Sequence, residues 1–297
     1  MAQRYSIPLA QRSLLSIGGD DRRAFLQGLV SNDVTKTSAE RALYGAFLTP
    51  QGKFLHEFFL AEHGDALLLD TETARRPDFA KRLSIYKLRS KIVIGQPDDL
   101  MVYSLLGEDA AAAVGLPAEP GAAKPFAGGL VFVDPRLPAA GLRAWLPAGA
   151  EPALAEAGFA PAEPPLWDQT RISLGLPDGS RDMPPEKAIL LENGFDELNG
   201  VDWKKGCYLG QELTARTKYR GLVRKRLLPV EIDGPTPEAG APILLGEAEA
   251  GEMRSHSGGI GLALIRLEQF EQWSRDGGEL RAGETLLRPR KPDWAIF

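Results

Sequence analysis

The sequence predicts an α+β protein that ends in a small all-β domain. Three observations carry this prediction. An early stretch, residues 41–61, reads as a β-hairpin folded at Pro-Gln-Gly. Helical segments with one apolar face flank it. Beyond residue 224 the texture changes to short apolar runs broken by Gly, Pro and charged turns, the pattern of a barrel. The expected organisation is one mixed region over 1–223 and a barrel over 224–297.

In chain order, residues 19–34 (GDDRRAFLQGLVSNDV) read as a helix, with acids at its start and Phe25, Leu26, Leu29 and Val30 on one face. Asn32 and Asp33 close it, either as turn residues or as polar groups facing a ligand. The hairpin follows, and in its second arm Glu57 stands in an apolar run, as a surface position or as a carboxylate lining a pocket. Residues 66–70 form a third strand. Residues 76–88 form a helix with Pro77 in its first turn and Phe79, Leu83 and Tyr86 inward. Residues 101–107, 129–134 and 141–147 are further strands. Asp168 and Arg171 suit an i,i+3 ion pair on a helix surface.

Composition excludes several classes. No apolar run approaches the ~20 residues that span a bilayer, and the first residues lack the basic-then-apolar order of a signal peptide. With one cysteine the chain cannot staple itself by disulfides, which fits a reducing compartment; the expected location is cytoplasmic. The net charge of −5 argues against general nucleic-acid binding. The charge is uneven, however. Between Lys204 and Arg226 eight Lys/Arg face one acid, Glu212, so that stretch is +7 and the remainder −12. A local positive field suits an anionic ligand or an acidic partner.

The single cysteine lies in KKGCYLGQE, residues 204–212. Lys204 and Lys205 precede Cys207, and a helix beginning near Gly210 would turn its positive end toward it. Both favour the thiolate, the reactive form. Gln211 and Glu212 fall in the first helical turn, where side chains satisfy free main-chain donors; Glu212 can also pair with Lys204 or Lys205. One cysteine cannot hold a zinc or iron–sulfur site alone, and His56, His63 and His256 have no ligand spacing, so no intrinsic metal site is expected.

KKGCYLGQELTAR resembles the signature of the YgfZ-type folate-binding proteins, which include mitochondrial iron–sulfur assembly factors and belong to the superfamily of the glycine-cleavage aminomethyltransferase. Residues 25–34, 48–60, 86–94, 170–179 and 257–266 are similar to that family as well, so the likeness spans nearly the whole chain. The resemblance implies a three-lobed, ring-like fold around a tetrahydrofolate-sized pocket. It also implies a role in assembling or repairing iron–sulfur clusters, including those of radical-SAM enzymes that methylthiolate tRNA. On this reading Cys207 is the functional thiolate, with Lys205 and Glu212 beside it. Glu57, Asn32, Asp33, Arg171, Tyr208, Gln211, Arg224 and Arg226 bind the folate, Lys/Arg taking its carboxylate tail. The expected partners are a reduced folate and iron–sulfur carrier or client proteins, with no nucleic acid, no membrane and a monomeric chain. Whether it is an enzyme stays open. An aminomethyltransferase-like transferase is the alternative, weakened by His56 and Ser173 where the enzymes carry acids. A second alternative is a thiol hydrolase pairing Cys207 with His256.

Overall fold

The structure, a computed structural model, describes residues 3–297. Contacts divide it into two compact units, one of residues up to 50 with 55–164 and 198–209, the other of residues 51–54, 165–197 and 210–297.

The first unit holds two sheets. In chain order its strands are β1 (Arg4–Pro8), β2 (Arg12–Gly18), β3 (Leu43–Leu48), β4 (Phe54–His63), β5 (Ala66–Glu72), β6 (Val93–Gly95), β7 (Leu100–Leu106), β8 (Ala123–Phe126), β9 (Gly129–Val133), β10 (Leu142–Pro147) and β11 (Phe159–Pro161). One sheet runs β3-β4-β5-β2-β6 and the other β11-β1-β7-β10-β9-β8. β3 and the first eight residues of β4 are buried throughout, as expected of strands covered on both faces. Phe47 and Phe58 pack against Phe79 of the helix Arg76–Tyr86 beneath the first sheet, Phe58 stacked and Phe47 tilted.

The second unit contains the barrel, with β12 (Lys225–Asp233), β13 (Pro242–Leu245), β14 (Ala248–Ser257), β15 (Ile260–Arg266), β16 (Leu280–Ala282) and β17 (Thr285–Pro289). It closes in the order β12-β15-β14-β13-β16-β17 around Leu228, Val230, Ile243, Met253, Ile265 and Leu287. Closure leaves no unpaired edge. The contact division differs from a cut at residue 223 because the helix Pro164–Ser173 is tied to the barrel: Arg171 donates to Ser255 Oγ at 2.8 Å.

The hairpin, the helix after Pro77 and the barrel match expectation. The helix expected over 19–34 is shorter. It spans Arg22–Gln27, followed by a 3-10 turn Val34–Lys36. Polar side chains after Gly28 claim the main chain that a helix would use: Asp33 accepts from Thr35 N, and Ser31 Oγ donates to Gly200 O at 2.6 Å. Among the described residues no helix is long and apolar enough to cross a membrane.

Candidate functional site

Gln27, at the end of the first helix, organises the loop that carries the cysteine. Lys205 Nζ donates to the main-chain oxygens of Gln27 (2.6 Å) and Val30, and Leu209 N donates to Gly28 O at 3.1 Å. Gln27 Nε2 in turn donates to Asp33 Oδ1 at 2.9 Å. Lys205 also lies over the Tyr208 ring, 4.9 Å from its centroid. Burial lowers the Lys205 ammonium to about 8, and Asp33 and Asp202 offset only part of that cost. Gly206 (φ +90°) supplies a turn that a side chain would strain. Between these anchors Cys207 is exposed.

The chain leading into this loop lines a cavity of about 380 Å³, with Asn32, Lys36, Arg41, Tyr44, Asn199 and Asp202 among its walls. Asn32 shapes it. Its Nδ2 donates to Tyr44 O (2.6 Å) and Asn199 O (2.7 Å), and its Oδ1 accepts from Asp33 N. Asp33 accepts from Gln27 and from Thr35. Both residues thus hold main chain and turn, the first of the two readings open from sequence. Lys36 pairs with Asp202 and is raised by it. Arg41 and Glu119 are exposed at the cavity. Cations and carboxylates on one wall system suit a ligand with both acidic and donor groups, and the volume is that of a small-molecule site.

Glu57 lies elsewhere. It is buried and paired with Arg12, within a charged network between the two sheets of the first unit. Arg12 also reaches Asp70 (2.7 Å), Asp70 meets Arg143 (2.8 Å) and Trp145 Nε1 (3.4 Å), and Arg136 pairs with Asp134 (2.8 Å). Arg143, Arg136 and Arg12 surround the Phe59 ring, with centroid distances of 3.8, 4.8 and 5.8 Å. Burial pushes the Asp70 carboxyl up, but Arg12 and Arg143 outweigh it and hold it below its ordinary range. Neither of the sequence readings of Glu57, surface or pocket, describes this ion pair. Next to it, burial and Arg75 lower His56 to about 4 against its hydrogen bond to Asp78 (3.0 Å).

The remaining expected residues belong to the second unit. Arg171 does pair with Asp168 (2.7 Å), but it is fully buried and also bonds Asp182 (2.8 Å), Leu176 O and Ser255. Its donors are consumed by structure, which corrects the surface pair and leaves no fork for a ligand. Gln211 and Glu212 open the helix Gln211–Tyr219, whose cap is Gly210 with no side-chain bond. Glu212 pairs with Arg216 rather than with either lysine. The basic run is dispersed: Lys218 meets Asp196, Arg226 meets Glu197 (2.9 Å) and Leu191 O, and Arg224 is exposed beside Glu268 and Glu271. A single tail-binding cluster is therefore not formed by these residues. Ser173 donates to Thr170 O.

The human mitochondrial iron–sulfur cluster assembly factor IBA57 is 34% identical over an alignment covering 95% of this chain and 83% of that protein. The chain belongs to the IBA57 family. The mouse protein of that family is 33% identical over 88% of the chain and 77% of its own length. Residues 224–297 match the CAF17 C-terminal beta-barrel domain. Glycine cleavage system aminomethyltransferase T from Bartonella henselae superposes with a TM-score of 0.76 at 16% identity, covering 99% of this chain and 87% of that one. The fold is therefore aminomethyltransferase-like, mixed α/β with a closed six-stranded barrel. Two expectations need revision. The relatives carry the IBA57 name rather than that of the YgfZ-type proteins, and they are described as mitochondrial, which overturns the cytoplasmic expectation.

Proposed function

We propose that the chain acts in iron–sulfur cluster assembly, with Cys207 as its point of exchange with carrier or client proteins. The observation that carries this reading is an exposed lone cysteine on a loop anchored by a half-buried lysine. Among the described residues no three His, Cys, Asp or Glu side chains gather as a metal site. A cluster needs about four protein ligands, so a cluster that Cys207 touches must draw its other ligands from a partner.

We further propose that the cavity beside Asn32 holds a reduced folate. Lys36 and Arg41 would take the glutamate carboxylates, Lys36 exchanging Asp202 for the ligand, and Tyr44 and Pro135 would supply wall surface. Bound folate would supply one-carbon chemistry or act as a regulator, and clients among radical-SAM tRNA-modifying enzymes fit the same role. Anaerobic calorimetry with tetrahydrofolate tests the cavity. Saturable one-to-one binding that Arg41→Glu weakens is expected; unchanged binding in that variant, or none at millimolar ligand, would remove folate from the account.

A further inference from the structure

A surface remote in sequence from both the cavity wall and the Cys207 loop has a composition that neither uses. From Phe79 to Pro97 the chain carries Lys81, Arg82, Lys87, Arg89 and Lys91 and no acid, although the whole protein is at −5. Lys81, Lys87, Arg89 and Lys91 are exposed. Among them stand Ile85, Leu88 and Val93 at 67%, 89% and 68% exposure. Leu88 has φ +43°, a conformation an L side chain rarely adopts, and in it the most exposed large apolar residue of the described chain is turned to water. Two neighbouring acids are already engaged. Asp21 accepts from the main chain of Lys91 (2.6 Å), and Asp78 is shared by Arg82 and His56.

The same segment ends in β6, the edge strand of its sheet. Among the described residues β6 pairs with β2 on one side and with no strand on the other. Edge strands are commonly guarded by brevity and lysine. A guarded edge does not also display Val93 within the strand and Leu88 before it. We propose that β6 and the Leu88 turn form a docking edge for an extended, acidic segment of a partner protein. The segment adds as a strand beside β6, its carboxylates meeting Lys87, Arg89 and Lys91 and its apolar side chains covering Leu88 and Val93. A bilayer surface would accept the cations and Leu88 but presents no row of donors and acceptors in strand register, so the edge favours protein.

The test uses the full chain, ¹⁵N-labelled, titrated with a blocked octapeptide alternating Glu and Val and with its Lys–Val counterpart. The acidic peptide is expected to shift and protect the amides of residues 92–95. The triple variant Lys87→Glu, Arg89→Glu, Lys91→Glu, shown folded by circular dichroism, is expected to weaken it by about tenfold or more. Shifts mapping away from β6, equal binding of the two peptides, or no binding would overturn the proposal. Self-association of the chain that Val93→Lys abolishes would assign the edge to a second copy and overturn it too. So would capture by phosphatidylglycerol vesicles, lost in Leu88→Asp, without any peptide response.

Discussion

Lys205 and Gln27 hold each other twice: the lysine ammonium donates to Gln27 O at 2.6 Å, and Gln27 Nε2 donates to Lys205 O at 3.3 Å. This reciprocal pair fixes the start of the Cys207 loop on the end of the first helix. Its electrostatic cost is legible as a pH dependence. Lys205 falls from 10.5 to about 8 in the folded chain, so between those values the unfolded chain binds the extra proton and stability rises with pH. Urea unfolding at pH 7.5 and 9.5 should show the native chain gaining stability relative to Lys205→Met. A fall across that window would mean that the fold favours the ammonium.

His56 gives a second, opposite-placed window. It is fully buried, stacks on Phe79 at 4.5 Å and is lowered to about 4. The unfolded chain protonates near 6.5, so stability present above that value is lost as pH falls toward 4, by on the order of 3 kcal/mol. His56→Phe should flatten the pH dependence of the urea midpoint between 4 and 6.5, and a retained slope would place its origin elsewhere.

The charged network around Phe59 is stable only as a whole. Asp70→Asn leaves Arg12 and Arg143 facing a neutral amide and should cost about 3–5 kcal/mol. Equilibrium unfolding reads this directly. A loss below about 1 kcal/mol would show that water or another anion replaces the carboxylate.

Arg171→Lys tests whether the planar fork matters. Lysine keeps the charge but cannot bond Asp168, Asp182 and Ser255 from one plane. A loss of about 2–4 kcal/mol is expected with tetrahydrofolate affinity unchanged. Weakened folate binding in a fully folded variant would return Arg171 to the ligand.

Much of the fold was legible locally. The turn at Pro50–Gly52, Pro77 at a helix start and the change of texture at 224 each act over a few residues. The helix Leu267–Asp276 was not, because it follows β15 without a break and GLALIRLE reads on as strand. The buried arginines were hidden for a different reason. Arg12, Arg136, Arg143 and Arg171 carry charges that sequence assigns to the surface, and for Arg12 and Arg143 the acids that permit burial lie 45 to 73 positions away. Arg171 is the instructive case: its i,i+3 partner was readable, its burial against Asp182 and Ser255 was not. The Cys207 turn was legible as a turn. Its anchor on Gln27, 178 residues before Lys205, was not.

The central claim, that Cys207 is where this chain meets iron–sulfur chemistry, is tested by one measurement. The chain and its Cys207→Ala variant would be mixed anaerobically with a [2Fe–2S]-loaded carrier of the assembly machinery and followed by visible circular dichroism. Cys207 is exposed, so the variant should fold unchanged. The account predicts that the native chain alters the cluster spectrum and the variant leaves that of the carrier. An identical spectral change in both would contradict it.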